Sequence, residues 1–368
     1  MRNTFATVSL GAIEKNLGLI KSGLKGGAML CAVVKADAYG HGAVEVSRFI
    51  QEKKLADYLA VALVEEGVIL RKRGIELPII ILGASNSGDV QNLVSYGLSP
   101  AESSLDFLRL LQAEARRREK RIGVHIKVDT GMNRRGLRTH EEFSSILAAF
   151  SSELPNLYMQ GLCTHFAESS RLDSDYTDRQ AELFLSYVRE AQNAGFEPIV
   201  HCCNSGGALL RPNLHFDMVR VGIAMYGYDP EPQLAQPSKL IPAMGLQSQI
   251  VNVFELKAGQ SLSYGLNYAA STDIRVATVS IGYADGYMRA LSNKAQAVIG
   301  GQLCPQIGTI CMDHAMFDVS GVSNAQIGDP VILIGGGITA DQLAYLAGTI
   351  SYEVLTGISA RVPRVYYY

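Results

Sequence analysis

Residues 122–136 read IGVHIKVDTGMNRRG. Ile122, Val124, Ile126 and Val128 alternate with Gly123, His125, Lys127 and Asp129, the period of two that a β-strand imposes on its two faces. The apolar face belongs against a layer of helices. The other face carries an imidazole, an amine and a carboxylate, and the spacing predicts that all three point into a sheet that curls on itself. Buried polar groups need partners. Arg134 follows in the loop and suits a carboxylate, whereas Lys127 near Arg134 is a like-charge clash that something must neutralise. A structural ion network satisfies these residues as well as a reaction centre does.

On both sides of this strand, up to about residue 228, short apolar runs alternate with stretches of helical period, the signature of repeated βα units. Strands are expected near 28–35, 58–63, 78–82, 98–101, 122–128, 156–164, 198–203 and 217–221. Between them the period is helical. In 11–24, Ile13, Leu17, Ile20 and Leu24 recur on one side, with Glu14, Lys15 and Lys21 on the other. Eight units predict an α/β fold with a closed (β/α)8 TIM-like barrel over residues 1–230, although a doubly wound open sheet would give a similar string. The rhythm breaks at 229–242, DPEPQLAQPSKLIP, which holds four of the twelve prolines and reads as a linker. After it the period becomes two, with strands expected at 246–256, 274–283, 296–299, 306–311, 315–320 and 329–334. One helix, Thr339 to Ile350, interrupts them, with Thr339 as its N-cap. Residues 231–368 are therefore expected to form a mainly β C-terminal domain.

Composition agrees with two domains. The chain has 368 residues, more than the roughly 250–300 at which one core usually stops growing. Hydrophobic residues make up 48% and charged residues 18%, enough apolar surface to bury. Lys and Arg number 33 against 35 Asp and Glu, a net charge of −2 that offers no basic footprint for nucleic acid or an anionic membrane. The first twenty residues carry no secretion signal, and the longest apolar run, Leu77–Leu82, is far short of the roughly 18–20 residues that cross a bilayer. Six cysteines without a C-x-x-C pair argue against a metal site or a disulfide framework and favour a reducing cytoplasm.

In a (β/α)8 barrel, reactive residues come from the C-terminal ends of strands. The first strand ends in AVVKADAYGHG (32–42), placing Lys35 at the mouth and Tyr39 four positions on. An isolated lysine there snorkels to solvent; a desolvated one has a lowered pKa and forms Schiff bases. The sixth strand ends in Thr164 and His165, the seventh in HCCNSGG (201–207) with Asn204 and Ser205, and the eighth in FDMVRVGIAMYGY (216–228) with Arg220 and Gly222. The loops after strands seven and eight are where such barrels often bind phosphate. Together these ends predict an anionic, phosphate-bearing cofactor beside a Schiff-base lysine. Two motifs are set aside. ILIGGGITADQL (332–343) lacks G-x-G-x-x-G and reads as a turn into a capped helix. Cys202 and Cys203, as strand neighbours, should face opposite ways and act as small apolar fillers.

AVVKADAYGHG, KVDTGMNRRG, THFAES, HCCNSGG, FDMVRVGIAMYGY, LSYGLNY, SIGYADGY, TICMDH and ISARVPR resemble, in order and spacing, the motifs of bacterial alanine racemases over about residues 4–367. The resemblance implies a pyridoxal 5'-phosphate barrel followed by a β domain, a head-to-tail homodimer, and interconversion of L- and D-alanine for the cell wall. It implies that Lys35 holds the cofactor as a Schiff base and shares acid–base work with Tyr264, which comes from the partner subunit. Tyr39, Ser205, Gly222 and Ile223 would bind phosphate, with Asn204 beside them. Arg220 would face the ring nitrogen, and His165 would lie at the ring and link Tyr264 to Arg220. Arg134 would hold the phenolic oxygen and the substrate carboxylate. Met312 would meet that carboxylate through its N–H, with Asp313 in support and Tyr283 at the entrance. Lys127 would be carbamylated, turning the clash with Arg134 into an ion pair; no metal is implied.

Two positions depart from the family pattern. Asn133 replaces a frequent Gly, and both residues tolerate a left-handed turn. Ala360 stands where some members carry a phosphate-contacting tyrosine, which implies a roomier pocket and an alanine/serine racemase as the alternative. A related decarboxylase and a non-catalytic pyridoxal phosphate carrier fit less well, since Tyr264 and the β domain belong to neither.

Overall fold

A computed structural model describes residues 4–231 and 239–368; the centre of the expected 229–242 linker lies outside the described residues. Strand β1 (Phe5–Ser9) leads into helix α1 (Leu10–Gly23), whose first turn is capped by Ser9 Oγ accepting from Ala12 N. Then follow β2 (Met29–Val33), the short turn α2 (Lys35–Tyr39), α3 (Ala43–Lys53), β3 (Tyr58–Val61), α4 (Val64–Lys72), β4 (Ile79–Ile81), α5 (Val90–Tyr96) and β5 (Ser99–Glu102). The N-terminal part ends with α6 (Leu105–Arg117), β6 (Ile122–Lys127), α7 (His140–Ser152), β7 (Leu157–Cys163), α8 (Tyr176–Asn193), β8 (Ile199–His201), α9 (Ser205–Leu210) and β9 (Met218–Val221).

Strands β2 to β9 form one parallel sheet ordered β8-β7-β6-β5-β4-β3-β2-β9. Neighbours are consecutive apart from the β9–β2 pairing, so the strand order has no reversal of the kind an open doubly wound sheet contains. The remaining seam between β8 and β9 is bridged by Asp217 N to Val200 O (3.1 Å), Val200 N to Asp217 Oδ2 (2.8 Å) and Arg220 N to Cys203 O (2.9 Å). The barrel is thus nearly closed. Its apolar strands and the inner faces of the helices share one buried core, in which Ile13, Leu17 and Ile20 of α1 sit as the sequence period requires.

Strand β1 lies outside the barrel, although the barrel was expected to begin at residue 1. It pairs antiparallel with β10 (Met244–Leu256) and parallel with the last strand, so residues 5–9 join the C-terminal sheet and not the barrel. That sheet continues with β13 (Ile274–Val279), β14 (Gln296–Ile299), β15 (Gln302–Ile307), β16 (Ala315–Asp318), β17 (Pro330–Ile334) and β18 (Arg364–Tyr367), while β11 (Ser261–Leu262) and β12 (Tyr268–Ala269) pair with each other in a separate two-stranded sheet. The thirteen-residue β10 is long enough to pair with β17 at one end and β13 at the other, closing a ring through β16, β15 and β14. Two expected strands end early: 274–283 stops at Val279, and 306–311 lies instead at 302–307, before the left-handed Gly308. The single expected helix is two, α10 (Ala340–Ala347) and α11 (Ser351–Thr356), broken by Gly348 in the left-handed region. Thr339 caps α10 as expected, accepting from Gln342 N. Among the described residues no helix is long and apolar enough to cross a membrane.

Candidate active site

Lys35 leaves the end of β2 through an unusual turn. Ala36, Asp37, Ala38 and Tyr39 all hold φ between 52° and 55°, one turn of left-handed helix. At about 1–2 kcal/mol per residue this conformation costs about 4–8 kcal/mol, and its surroundings hold it. Glu66 Oε1 accepts from Ala36 N (2.6 Å), Asp37 Oδ1 from Ala43 N (2.7 Å), and Gly40 O from Arg364 Nε (2.8 Å). The turn brings Lys35 and Tyr39, four apart and therefore on one side, toward the same cavity. That cavity is also lined by His165, Asn204, Ser205, Arg220, Gly222, Ile223 and Tyr352. A contiguous one is lined by Lys35, Lys127, Arg134, Arg135, Cys163, Thr164, His165 and Arg220.

The concavity is maintained by small residues. Ser205 Oγ accepts from Gly222 N (3.0 Å) and Ala224 N (3.4 Å), tying the loops after β8 and β9 together. A Cβ at Gly222 would sit 2.4 Å from the Tyr39 hydroxyl and fill the cradle. Asn204 caps α9, accepting from Gly207 N (3.1 Å).

Arg220 is held inside the barrel by five acceptors. Nη1 donates to His201 Nδ1 (2.6 Å) and His201 O (3.1 Å); Nη2 donates to Thr164 O (2.8 Å), Cys202 O (3.1 Å) and His165 Nδ1 (3.2 Å). A guanidinium only donates, so both imidazole nitrogens facing it must be acceptors. His201 then keeps its proton on Nε2 and donates to His125 Nδ1 (2.8 Å). Burial above all, and then the charge of Arg220, lowers the pKa of His125 to about 3 and those of His165 and His201 well below the ordinary value. The row is thus a neutral relay fixed by one buried cation. Gly161 makes room for it, since a Cβ there would lie 2.0 Å from His125 Nδ1.

Two lysines share this mouth. Burial, followed by the charge of Arg134, lowers the pKa of Lys35; burial lowers that of Lys127 to about 8. Asp129 does not enter the barrel as expected. Its carboxylate accepts from Gly131 N (3.0 Å), Asn133 N (2.9 Å) and Arg134 N (3.0 Å), folding the loop that carries Arg134. Asn133 takes the left-handed conformation expected of it, at φ 54°. The carboxylate pairing expected of Arg134 belongs to Arg135, 2.9 Å from Glu102.

Tyr264, Tyr283, Met312 and Asp313 gather elsewhere, on the β domain, around a second concavity with Thr309 and Cys311. Tyr264 rides the loop between β11 and β12, where Ser263, Gly265 and Leu266 have positive φ. Thr309 holds that loop: its O accepts from Ser263 Oγ (2.7 Å) and its Oγ1 donates to Tyr264 O (2.7 Å). Tyr264 is 72% exposed and Met312 53%. Among the described residues none lines both this concavity and the barrel mouth, so the Tyr264 face and the Lys35 mouth are separate concavities of one chain.

Two sequence readings are corrected here. Ala360 is exposed and lines none of these cavities. The tyrosine in the cradle is Tyr352, eight residues earlier, with its ring centroid 5.9 Å from that of Tyr39. No aromatic contact is therefore missing, and the basis for a roomier pocket falls away. Cys202 and Cys203 lie past the end of β8, where strand alternation has stopped, and both Sγ atoms donate to Leu214 O (3.3 and 3.1 Å). Neither forms a disulfide.

Residues 8–230 match the family described as alanine racemase, N-terminal domain, and residues 243–366 match alanine racemase, C-terminal domain. The alanine racemase of Symbiobacterium thermophilum is 43% identical over 100% of this chain and 97% of its own length. That of Geobacter sulfurreducens is 40% identical over 99% of this chain and 97% of its own. Among solved structures, the alanine racemase of Clostridium difficile 630 superposes with a TM-score of 0.94 at 36% identity, covering 100% of this chain and 96% of that one. The Bacillus anthracis alanine racemase, solved with bound L-Ala-P, gives 0.93 at 33% identity, covering 100% and 96%.

Proposed function

Since the chain belongs to the alanine racemase family and interconverts L- and D-alanine, we propose that its working site joins the barrel mouth of one copy to the Tyr264 face of a second, with pyridoxal 5'-phosphate held at the mouth. The observation that carries this reading is the separation of Lys35 from Tyr264: each sits in a half-built site, and the Tyr264 half is exposed. Racemisation takes a proton from one face of the α-carbon and returns one to the other, so two proton-transfer groups must flank the substrate. A homodimer with composite sites supplies both.

The residues at the mouth fit the coenzyme. The cradle that a Gly222 Cβ would fill is lined by the hydroxyl-bearing Tyr39 and Ser205, and a fixed guanidinium and an amine of lowered pKa stand beside it. Lys35, Tyr39, Arg134, His165, Asn204, Ser205, Arg220, Gly222 and Ile223 would hold it, with Tyr352 as a further contact. Bound there, the coenzyme supplies the sink for the electrons of the broken C–H bond.

The chain does the rest. Lys35 Nζ moves the proton on one face, its neutral form favoured by burial. Tyr264 Oη of the second copy moves it on the other. With His165 Nδ1 committed to Arg220, its Nε2–H is left to donate to that phenolic oxygen. Arg220 would face the ring nitrogen of the coenzyme and, by disfavouring a second positive charge beside its own, would restrain competing chemistry at the amino group. Arg134 and the Met312 N–H of the second copy receive the substrate carboxylate, with Tyr283 at the entrance. Lys127, whose pKa of about 8 leaves a fraction of neutral amine at neutral pH, adds carbon dioxide and loses a proton; the carbamate anion then pairs with Arg134. We place this work in a reducing cytoplasm, where the free thiols persist and the product serves the cell wall.

The test is D-alanine formation from L-alanine by wild type, Lys35→Ala and Tyr264→Phe, with borohydride trapping of the coenzyme. Trapping on Lys35 and loss of activity in both variants are expected. Trapping at another lysine, or full activity in both variants, overturns the assignment.

A further inference from the structure

The β-domain half of the site is cross-linked by an arginine with no role assigned so far. Asp285 is fully buried, and its Oδ2 accepts from Gly282 N (3.0 Å), closing the turn Tyr283–Asp285. Its Oδ1 accepts from Arg361 Nε (2.7 Å), and Arg361 Nη2 donates to Asp313 Oδ1 (2.5 Å). The backbone runs alongside: Ser359 N donates to Asp285 O, Tyr283 N to Cys311 O and Ala284 N to Met312 O, each at 3.0 Å. A Cβ on Gly282 would lie 2.3 Å from the carbonyl oxygens of both Cys311 and Met312, so these loops are in direct backbone contact. One guanidinium therefore spans a buried carboxylate and an exposed one, and the loops it joins carry Tyr283 and Met312.

Resting on the composite site above, we propose that Arg361 is a positioning residue for the substrate carboxylate: it fixes the Met312–Asp313 loop against the Tyr283 turn and neutralises Asp313 beside the Met312 N–H. The charge argument is direct. Asp313 is the immediate neighbour of an amide that must receive an anion, and an unpaired carboxylate there repels it. Arginine suits the task because its planar fork reaches two carboxylates at once, which an ammonium on a flexible stem does poorly. The effect falls on binding of the free carboxylate, so it appears in KM more than in kcat.

The experiment measures kcat, KM for both alanine enantiomers, coenzyme content and Tm for full-length holoenzyme carrying R361Q, R361K and R361Q/D313N, with Y264F in parallel. R361Q is expected to raise KM about tenfold with kcat within about threefold of wild type, the size of one uncompensated charge in a partly wet site. R361K keeps the charge and recovers part of the loss. R361Q/D313N recovers most of it, because the repelling carboxylate has gone with its partner. A merely structural arginine would lower Tm and kcat, and D313N would not relieve the defect. Wild-type KM in R361Q, or a raised KM that neither R361K nor D313N relieves, overturns the proposal. Should R361Q not fold, R361Q/D285N removes the buried charge as well and is read in the same way. Y264F separates the two claims: if it is active the composite site fails, whereas an inactive Y264F beside an unaltered R361Q refutes the role of Arg361 alone.

Discussion

Replacing His201 by leucine isolates the relay that fixes Arg220, with little change in side-chain volume. The substitution removes the acceptor 2.6 Å from Arg220 Nη1 and leaves that nitrogen one carbonyl at 3.1 Å. A hydrogen bond to a charged group contributes about 1.5–3 kcal/mol. It also strips His125 Nδ1 of its donor at full burial, and a buried unsatisfied polar atom costs about 1–3 kcal/mol. The sum, about 2.5–6 kcal/mol, is a large part of the roughly 5–15 kcal/mol that stabilises a typical domain. Urea denaturation of the variant should show that loss at unchanged m-value. In the folded fraction Arg220 loses its fixed position, and kcat should fall about 10- to 100-fold, the scale of a misplacement near 1 Å. His201→Asn returns an acceptor to Arg220 without reaching His125, and should recover about half the stability. A loss below about 1 kcal/mol with unaltered kcat would refute the claim that the relay holds Arg220.

Further outcomes follow from the same geometry. Burial lowers the pKa of His41 to about 4 and of His125 to about 3, and holds that of His201 well below the ordinary value. Because these folded values lie below the roughly 6.5 of the unfolded chain, the stability they contribute is complete above about pH 6.5 and lost as pH falls toward them. Unfolding free energies from urea titrations between pH 7 and 4 should therefore drop by up to about 1.4 kcal/mol per pH unit per histidine, and a flat profile would contradict their neutrality. Gly222→Ala places a methyl against the Tyr39 hydroxyl and should weaken coenzyme affinity by about 5- to 150-fold through overpacking of about 1–3 kcal/mol, read by absorbance titration. Carbon-13 NMR of protein equilibrated with labelled carbon dioxide should show a carbamate that Lys127→Ala abolishes; a free amine at Lys127 would remove the proposed partner of Arg134.

The barrel was legible because short apolar runs alternate with stretches of helical period along residues 1–228, and the 122–128 alternation announced polar groups inside it. That Lys35, His165, Ser205 and Arg220 meet at one cavity was legible because all four follow or end barrel strands. What sequence reasoning missed was set by the third dimension. Nothing in KADAY signals four left-handed residues in a row, since the turn is imposed by contacts from Glu66 and Arg364, far along the chain. Strand β1 is short and alternates like its neighbours, and only its pairing with β10 and β18 assigns it to the second sheet. Tyr352 was overlooked for Ala360 because motif spacing locates a segment and not the side chain that turns inward; an aromatic on the buried side of a short helix is the signal that could have found it. His201 was overlooked, and His125, expected inside the barrel, was left without a named partner, for a similar reason: the relay joins strands that are not adjacent in the chain.

The central claim is that a complete site needs Lys35 from one copy and Tyr264 from another. Its most direct test mixes Lys35→Ala and Tyr264→Phe proteins, each inactive alone, under conditions that exchange subunits. A mixed dimer holds one intact site and one doubly disabled, and random exchange makes half the dimers mixed, so activity should return to roughly one quarter of wild type. Mixtures that remain as inactive as their components, with exchange verified by mass, would contradict the composite site.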